Sequence, residues 1–77
     1  MVPLSEVNPG ALVKVIEVSA GKGLKHRLEQ LGLFPGSFIE VVTNNHGHVL
    51  VRARGAIISL SRGIASKILV EKPGIDT

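Results

Sequence analysis

Residues 27–36 read Arg-Leu-Glu-Gln-Leu-Gly-Leu-Phe-Pro-Gly, and this stretch ends a helix and turns the chain towards a strand. Three leucines share one side of a predicted helix over about residues 22–31, because they are spaced i, i+4 and i+7: Leu24, Leu28 and Leu31. Gly32 follows at the first position beyond the helix, where a left-handed backbone conformation causes no Cβ clash in a glycine. The pattern predicts that the helix stops at this glycine.

The residues that follow support this stop and begin the next element. If the helix ends there, Leu33 is the C″ residue and Leu28 is C3, and an apolar pair at these positions commonly accompanies a Schellman motif. Pro35 cannot continue a helix, and Pro35-Gly36 supplies a turn. A strand over residues 37–43 is predicted to follow.

The composition predicts one small domain with an aliphatic core. Seventy-seven residues are too few for two separate cores. Hydrophobic residues make up 44% of the chain but aromatic residues only 3%, so the core must consist of Val, Ile, Leu and Ala. We expect residues 1–72 to form the domain and residues 73–77 to be a flexible tail. A domain of this size is marginally stable, and weak homo-oligomerisation could support it.

The lack of cysteine and the mild positive charge limit the functions that the chain can have. Without cysteine there are no disulfides, thiolate metal sites or cysteine nucleophiles, which fits a reducing compartment. Met1-Val2-Pro3 does not resemble a signal peptide, and no apolar run approaches the roughly 20 residues that span a bilayer. We therefore expect a cytoplasmic protein without membrane insertion. The net charge of +3 is compatible with an acidic partner but falls well short of a polybasic arm.

Five short strands are predicted, at about residues 11–19, 37–43, 48–54, 56–60 and 67–71. The apolar residues of the first strand do not alternate cleanly, which indicates a β-bulge or burial on both sides. Gly55 marks a tight turn, and Ser61 could cap a short helical turn over residues 61–66. With one helix inserted, this pattern is typical of a mainly β fold, a small and partly open antiparallel β-barrel.

The order of the elements and several signature residues resemble the FeoA family, small cytosolic proteins of bacterial ferrous iron uptake with an SH3-like barrel. The most specific part is Arg27-Leu28 followed by Leu31-Gly32-Leu33 and Pro35-Gly36. Further matches extend the resemblance over about residues 3–72: Leu4, Gly10, Ile39, Val41, Val49, Val51, Gly55, Ile58, Ser59, Leu60, Arg62, Ala65, Ile68 and Val70. The resemblance implies a non-enzymatic accessory protein. It also implies a partner, the membrane ferrous iron permease FeoB, which has a cytosolic GTP-binding region.

No arrangement of residues predicts catalysis or a bound cofactor. The glutamates are not spaced as an acid/base pair, Asp76 is the only aspartate, and no hydroxyl or imidazole has a recognisable nucleophile context. His46 and His48 place two imidazoles near one another at a predicted hairpin tip, and such pairs can bind Zn²⁺, Cu²⁺ or Ni²⁺. Fe²⁺ sites usually add carboxylates, and none is close in sequence. We favour solvated turn histidines over a metal site.

The flank of the predicted helix is the preferred candidate for binding a partner, with the residues Lys22, Lys25, His26 and Arg27. These side chains could dock on an acidic surface, or they could form an ordinary solvated face opposite the leucines. Arg27 could instead bond carbonyl groups or Glu29. Leu33 and Phe34 could present apolar surface at the turn, or be buried over the end of the barrel.

Two other functions are alternatives. A nucleic-acid-binding barrel would use Arg52, Arg54, Arg62 and Lys67, but a chain without Tyr or Trp offers little surface for stacking bases. A metal-responsive module is the second, since the FeoA-like domain also occurs at the C-terminus of DtxR-like repressors. The resemblance favours the stand-alone accessory protein, because no helix-turn-helix precedes the domain here.

Overall fold

The computed structural model describes residues 1–72, which form one antiparallel sheet of six strands and two short α-helices. The strands are β1 (Val2–Pro3), β2 (Leu12–Val18), β3 (Phe38–Asn44), β4 (His48–Ala53), β5 (Ala56–Ser61) and β6 (Ile68–Glu71). Helix α1 (Lys22–Gln30) connects β2 to β3, α2 (Arg62–Ala65) connects β5 to β6, and a 3₁₀ turn (Leu4–Glu6) follows β1. The predicted tail, residues 73–77, lies outside the described residues.

The strand order across the sheet is β1-β6-β2-β3-β4-β5. The last strand thus lies between the first two, and Val70 pairs with Val2 on one side and Val15 on the other. Over residues 1–72 the sheet does not close on itself, since β1 and β5 are its edges. The predicted mainly β, partly open antiparallel fold is confirmed. The structure has six strands within residues 1–72 rather than the five predicted, because the two-residue strand containing Pro3 is too short to show an alternating pattern.

A β-bulge in β2 explains why its apolar residues do not alternate. Val13 and Val15 are buried. The register against β6 then shifts between Val15 and Glu17, so that Val18 is the next buried residue of the strand. The bulge predicted from the sequence is confirmed, and it lets the strand bend while Val13, Val15 and Val18 stay in the core.

The core is aliphatic, as the composition predicts. Its largest fully buried side chains are Leu4, Leu28, Leu33, Ile39, Ile68, Val13, Val15, Val41, Val49, Val51 and Val70. Both aromatic rings stay outside this core: Phe38 is 54% exposed, and Phe34 is half-buried at the turn after α1. The core therefore depends on close packing of small branched side chains.

The end of α1 corrects the predicted core face of the helix. Leu28 is buried and Leu24 is half-buried, but Leu31 is 40% exposed. Leu31 is the C-cap residue, and the chain leaves the helical path at Gly32, where φ is +96°. Leu33 is thereby carried into the core and takes the place that the i+7 spacing assigns to Leu31.

Candidate functional site

Helix α1 is anchored at its C-terminal end. The backbone N–H of Leu33 donates to the Leu28 carbonyl at 2.8 Å, and that of Gly32 donates to the Glu29 carbonyl at 3.0 Å. These are the two hydrogen bonds of a Schellman motif, and the buried side chains of Leu28 and Leu33 supply its apolar pair. The predicted helix stop at Gly32 is confirmed.

The N-terminal end of α1 has no side-chain cap. Gly21 is the N-cap residue, and the first turn contains no acidic residue. Lys22 and Lys25 thus lie near the positive end of the helix dipole, an arrangement that costs roughly 0.3–1 kcal/mol for each charge. Positive charge is concentrated at this end of the helix at the expense of helix stability.

The helix face consists of Lys22, Lys25, His26 and Arg27, and all four side chains are exposed. Among residues 1–72, its one side-chain hydrogen bond joins Gln30 Nε2 to His26 Nε2 at 3.2 Å. Within the described residues, no ion pair involves Lys22, Lys25 or Arg27. Arg27 makes no bond to Glu29. The helix face therefore presents cations whose charge is not neutralised by the described residues.

The turn after α1 separates the two alternatives for its large residues. Leu33 is fully buried, because the Schellman motif directs its side chain into the core. Phe34 is half-buried. Its carbonyl accepts from Ser37 Oγ at 2.8 Å and from the Ser37 N–H at 3.0 Å, which fixes the backbone of the turn. Pro35 and Gly36 are exposed.

Arg54 covers this turn from the β4–β5 hairpin. Its guanidinium carbon lies 5.5 Å from the centroid of the Phe34 ring, within the range of a cation–π interaction. Arg54 and Gly55 both have positive φ, 54° and 81°, as the two central residues of a type I′ hairpin do. Sequence reasoning identified Gly55 as the turn residue but assigned Arg54 only to a nucleic-acid surface. No local pattern indicates that this arginine reaches Phe34.

Replacing Gly32 with alanine is expected to lower the free energy of unfolding by about 1–2 kcal/mol, because an alanine is strained at positive φ. The new Cβ would also lie 3.1 Å from Arg54 Cδ and 3.3 Å from Arg54 Cγ, so the Arg54 side chain must shift by a few tenths of an ångström. Urea denaturation followed by circular dichroism measures the effect.

The matched control for this change is Gly36→Ala. Gly36 has nearly the same φ, +98°, but a Cβ there would meet nothing within 4 Å. We expect Gly36→Ala to cost about half a kcal/mol less than Gly32→Ala, the difference being the displacement of Arg54 from its position over Phe34. In an Arg54→Ala background that difference should vanish. Equal costs in the native background would show that Arg54 does not restrain the turn.

The histidines of the hairpin tip are exposed, and His46 lies in the loop before β4 while His48 begins that strand. Residues 1–72 contain no group of three or more His, Asp or Glu side chains placed to hold a metal ion. The solvated state of these histidines stays a prediction.

Three of the four residues predicted for a nucleic-acid surface are engaged within the domain. Arg52 Nη1 lies 2.6 Å from Glu40 Oε1, and Arg54 lies over Phe34. Arg62 donates to Asn44 Oδ1 at 2.6 Å, to the Asn45 carbonyl at 3.1 Å and to the Ser5 carbonyl at 3.1 Å. Lys67 is exposed. These arginines tie elements of the fold together, which the sequence pattern did not indicate.

A cavity of about 250 Å³ lies apart from the helix face, with the lining residues Val2, Glu6, Val7, Asn8, Ala11, Val13, Val70, Glu71 and Lys72. Its lining combines apolar strand residues with two carboxylates and one ammonium group.

None of the helices within residues 1–72 has the length and apolar character needed to cross a bilayer.

Comparison with known proteins gives a consistent result. The sequence matches the FeoA domain over residues 2–72. A Methanocaldococcus jannaschii protein that carries the provisional name Fe(2+) transport protein A is 38% identical over 71 residues, covering 92% of this chain and 87% of that protein.

Solved structures share the same fold. The crystal structure of an iron uptake regulatory protein, FeoA, superposes with a TM-score of 0.84 and 28% identity over 90% of this chain and 93% of that chain. The crystal structure of ScaR with bound Zn²⁺ superposes with a TM-score of 0.84 and 25% identity, covering 95% of this chain but 37% of that longer one. The fold thus occurs both as nearly a whole chain and as part of a larger one.

Proposed function

Because the chain belongs to the FeoA family of ferrous iron transport accessory proteins, we propose that it supports Fe²⁺ uptake by binding the cytosolic GTP-binding region of FeoB. This role places the chain in the cytoplasm, where that region of the permease lies. It needs no catalytic group and no cofactor from this chain. The chain would act by contact alone, on the assembly or on the activity of the permease.

The observation that supports a particular docking surface is the free positive charge of the helix face. Between Lys22 and Gln30 the helix carries three cations, Lys22, Lys25 and Arg27, and one carboxylate, Glu29, a net charge of 3 − 1 = +2. The uncapped N-terminus adds the positive end of the helix dipole to the same region. Such a surface attracts an acidic partner and speeds its association, because complementary fields steer the encounter.

The neighbouring turn extends this surface. Pro35 is exposed and Phe34 is half-buried, so the turn offers a small apolar area after the C-terminal end of α1, the end that carries Arg27. Leu33 does not contribute to it, since its side chain is fully buried. The proposed interface is therefore a charged helix face with a limited apolar contact at Phe34 and Pro35.

Reversing two charges of the helix face is expected to weaken binding to the purified FeoB cytosolic region at least about tenfold at low salt. The variant is Lys22→Glu/Lys25→Glu, measured by titration against the native chain with GDP or a GTP analogue bound to FeoB. The loss should shrink at high salt, because exposed charges are screened.

Two controls separate this effect from general charge and from unfolding. Lys67→Glu/Lys72→Glu makes the same change in net charge at two exposed lysines outside α1, and should leave binding within about twofold of native. The helix-face reversal places two carboxylates near the positive end of the helix dipole, where each contributes roughly 0.3–1 kcal/mol. Lys25→Glu also puts a like charge four residues before Glu29, which removes part of this gain, so the free energy of unfolding should rise by some tenths of a kcal/mol in total. A more stable chain that binds less tightly cannot owe its loss to misfolding.

The other outcomes bear on different parts of the proposal. Native affinity in the helix-face variant would exclude the helix face but keep FeoB as the partner. No binding by the native chain in either nucleotide state, and none to full-length FeoB in membranes, would exclude the partner.

A further inference from the structure

Four neighbouring strands carry one row of exposed side chains across the outer face of the sheet. The register places Leu12 beside Glu40, Glu40 beside Arg52, and Arg52 beside Ile57. Leu12 is 52% exposed and Ile57 is 49% exposed, although both lie on regular strands. We call these four residues the outer row.

The outer row has an ordered chemical sequence, apolar–acidic–basic–apolar. Its two central residues form a cross-strand ion pair, with Arg52 Nη1 2.6 Å from Glu40 Oε1 and both side chains more than 40% exposed. Phe38 lies two residues before Glu40 on β3, so its ring is on the same face beside the row, and it is 54% exposed. Three of the large exposed apolar side chains of residues 1–72 are thus gathered around one ion pair.

We propose that this face binds a second copy of the chain, as a two-fold symmetric dimer whose axis runs parallel to the strands between Glu40 and Arg52. A rotation about that axis reverses the row. Leu12 of one copy then faces Ile57 of the other, and Glu40 faces the second Arg52. Each apolar residue meets an apolar residue and each charge meets its opposite, so the surface is complementary to itself, as an isologous interface requires.

Charge complementarity also selects the orientation. With an axis perpendicular to the strands, Glu40 would face the second Glu40 and Arg52 the second Arg52, and like charges placed together cost several kcal/mol. The axis parallel to the strands turns two separate ion pairs into one network of four alternating charges. The sheets would pack face to face in nearly aligned directions, a usual arrangement for two sheets.

The proposal is independent of FeoB binding, because the outer row and the helix face share no residue. The interface is small, so we expect a weak dimer with a dissociation constant of about 0.1–1 mM. Sedimentation equilibrium of the native chain from micromolar to about 1 mM concentration measures it. A chain that stays monomeric over this whole range would overturn the proposal.

A charge-complementation experiment tests the surface itself. Glu40→Arg gives the row two cations, and Arg52→Glu gives it two carboxylates, so each variant alone should dimerise at least about tenfold more weakly than the native chain. Mixing the two should produce a heterodimer, because the two cations of one variant then face the two carboxylates of the other. Its dissociation constant should return to within about threefold of the native value.

The mixture excludes a simple loss of fold, since two damaged chains would not restore association. The single variants should also keep their native circular dichroism, because an exposed ion pair contributes only about 0.2–1 kcal/mol. Lys67→Glu, at an exposed lysine outside the row, should dimerise like the native chain. Dimerisation that is unchanged by both single reversals would assign the interface to another surface. If the native chain does not self-associate, and the Glu40→Arg and Arg52→Glu variants bind FeoB more weakly than it does, this face binds FeoB and not a second copy.

Discussion

Replacing Leu33 with alanine is expected to lower the free energy of unfolding by about 2–5 kcal/mol. Leu33 is fully buried and occupies the C″ position of the Schellman motif that ends α1. The substitution leaves a cavity in the core and removes the apolar pair with Leu28. A domain of this length has only about 4–12 kcal/mol of stability, so the variant could be partly unfolded at 37 °C. Urea denaturation at 25 °C followed by circular dichroism measures the loss.

Leu31→Ala is the matched control for this change. Leu31 lies two residues earlier, has the same side chain and is 40% exposed, so its replacement should cost less than about 1 kcal/mol. Comparable costs at the two positions would contradict the assignment of Leu33 to the core. A stable Leu33→Ala chain with weakened FeoB binding would restore Leu33 as a docking residue.

The second large effect is expected at Arg62, where Arg62→Met should lower the free energy of unfolding by about 2–3 kcal/mol. The guanidinium bonds Asn44 Oδ1 at 2.6 Å and the Ser5 carbonyl at 3.1 Å. Asn44 Nδ2 in turn donates to the carbonyls of Ser5 and Val7, at 3.0 and 2.8 Å. Methionine keeps the bulk of the side chain but leaves the half-buried Asn44 Oδ1 without its donor and the Ser5 carbonyl with the Asn44 Nδ2 bond alone. The network joins the 3₁₀ region, the end of β3 and the start of α2.

Arg52→Met serves as the control, because Arg52 makes a bond of the same 2.6 Å length but to an exposed carboxylate. Its replacement should cost about 0.2–1 kcal/mol. Asn44→Ala should also destabilise the domain, and the Asn44→Ala/Arg62→Met double variant should lose less than the sum of the two, since both remove parts of one network. The denaturations belong at a few micromolar, far below the expected dimer dissociation constant. Additive losses would show that Asn44 and Arg62 act separately.

The sequence predicted those features that depend on neighbours along the chain. The Schellman motif follows from fixed offsets around Gly32, and the β4–β5 turn follows from Gly55 between two alternating strands. The core positions of β4, Val49, Val51 and Ala53, follow from their period of two and are buried.

The features that the sequence did not reveal depend on contacts between distant residues. Arg62 bonds a carbonyl 57 residues earlier in the chain, and no local pattern distinguishes it from an arginine in solvent. Leu31 shares a side of the helix with Leu28 but not its burial, because periodicity describes a continuing helix, whereas the chain changes direction at Gly32. The exposure of the helix face could be predicted from its place opposite the leucines. What the helix face binds cannot be read from its own residues, because recognition is a property of two surfaces.

The position of β6 between β1 and β2 also determines the order in which the sheet can close. Strands β2 to β5 pair with their sequence neighbours, but β1 and the free side of β2 must wait for Ile68–Glu71. Because pairings between distant parts of the chain carry the larger loop-closure entropy, we expect these two to form late in folding. Until then β2 presents an open, apolar edge, the kind of edge that pairs with strands of other chains.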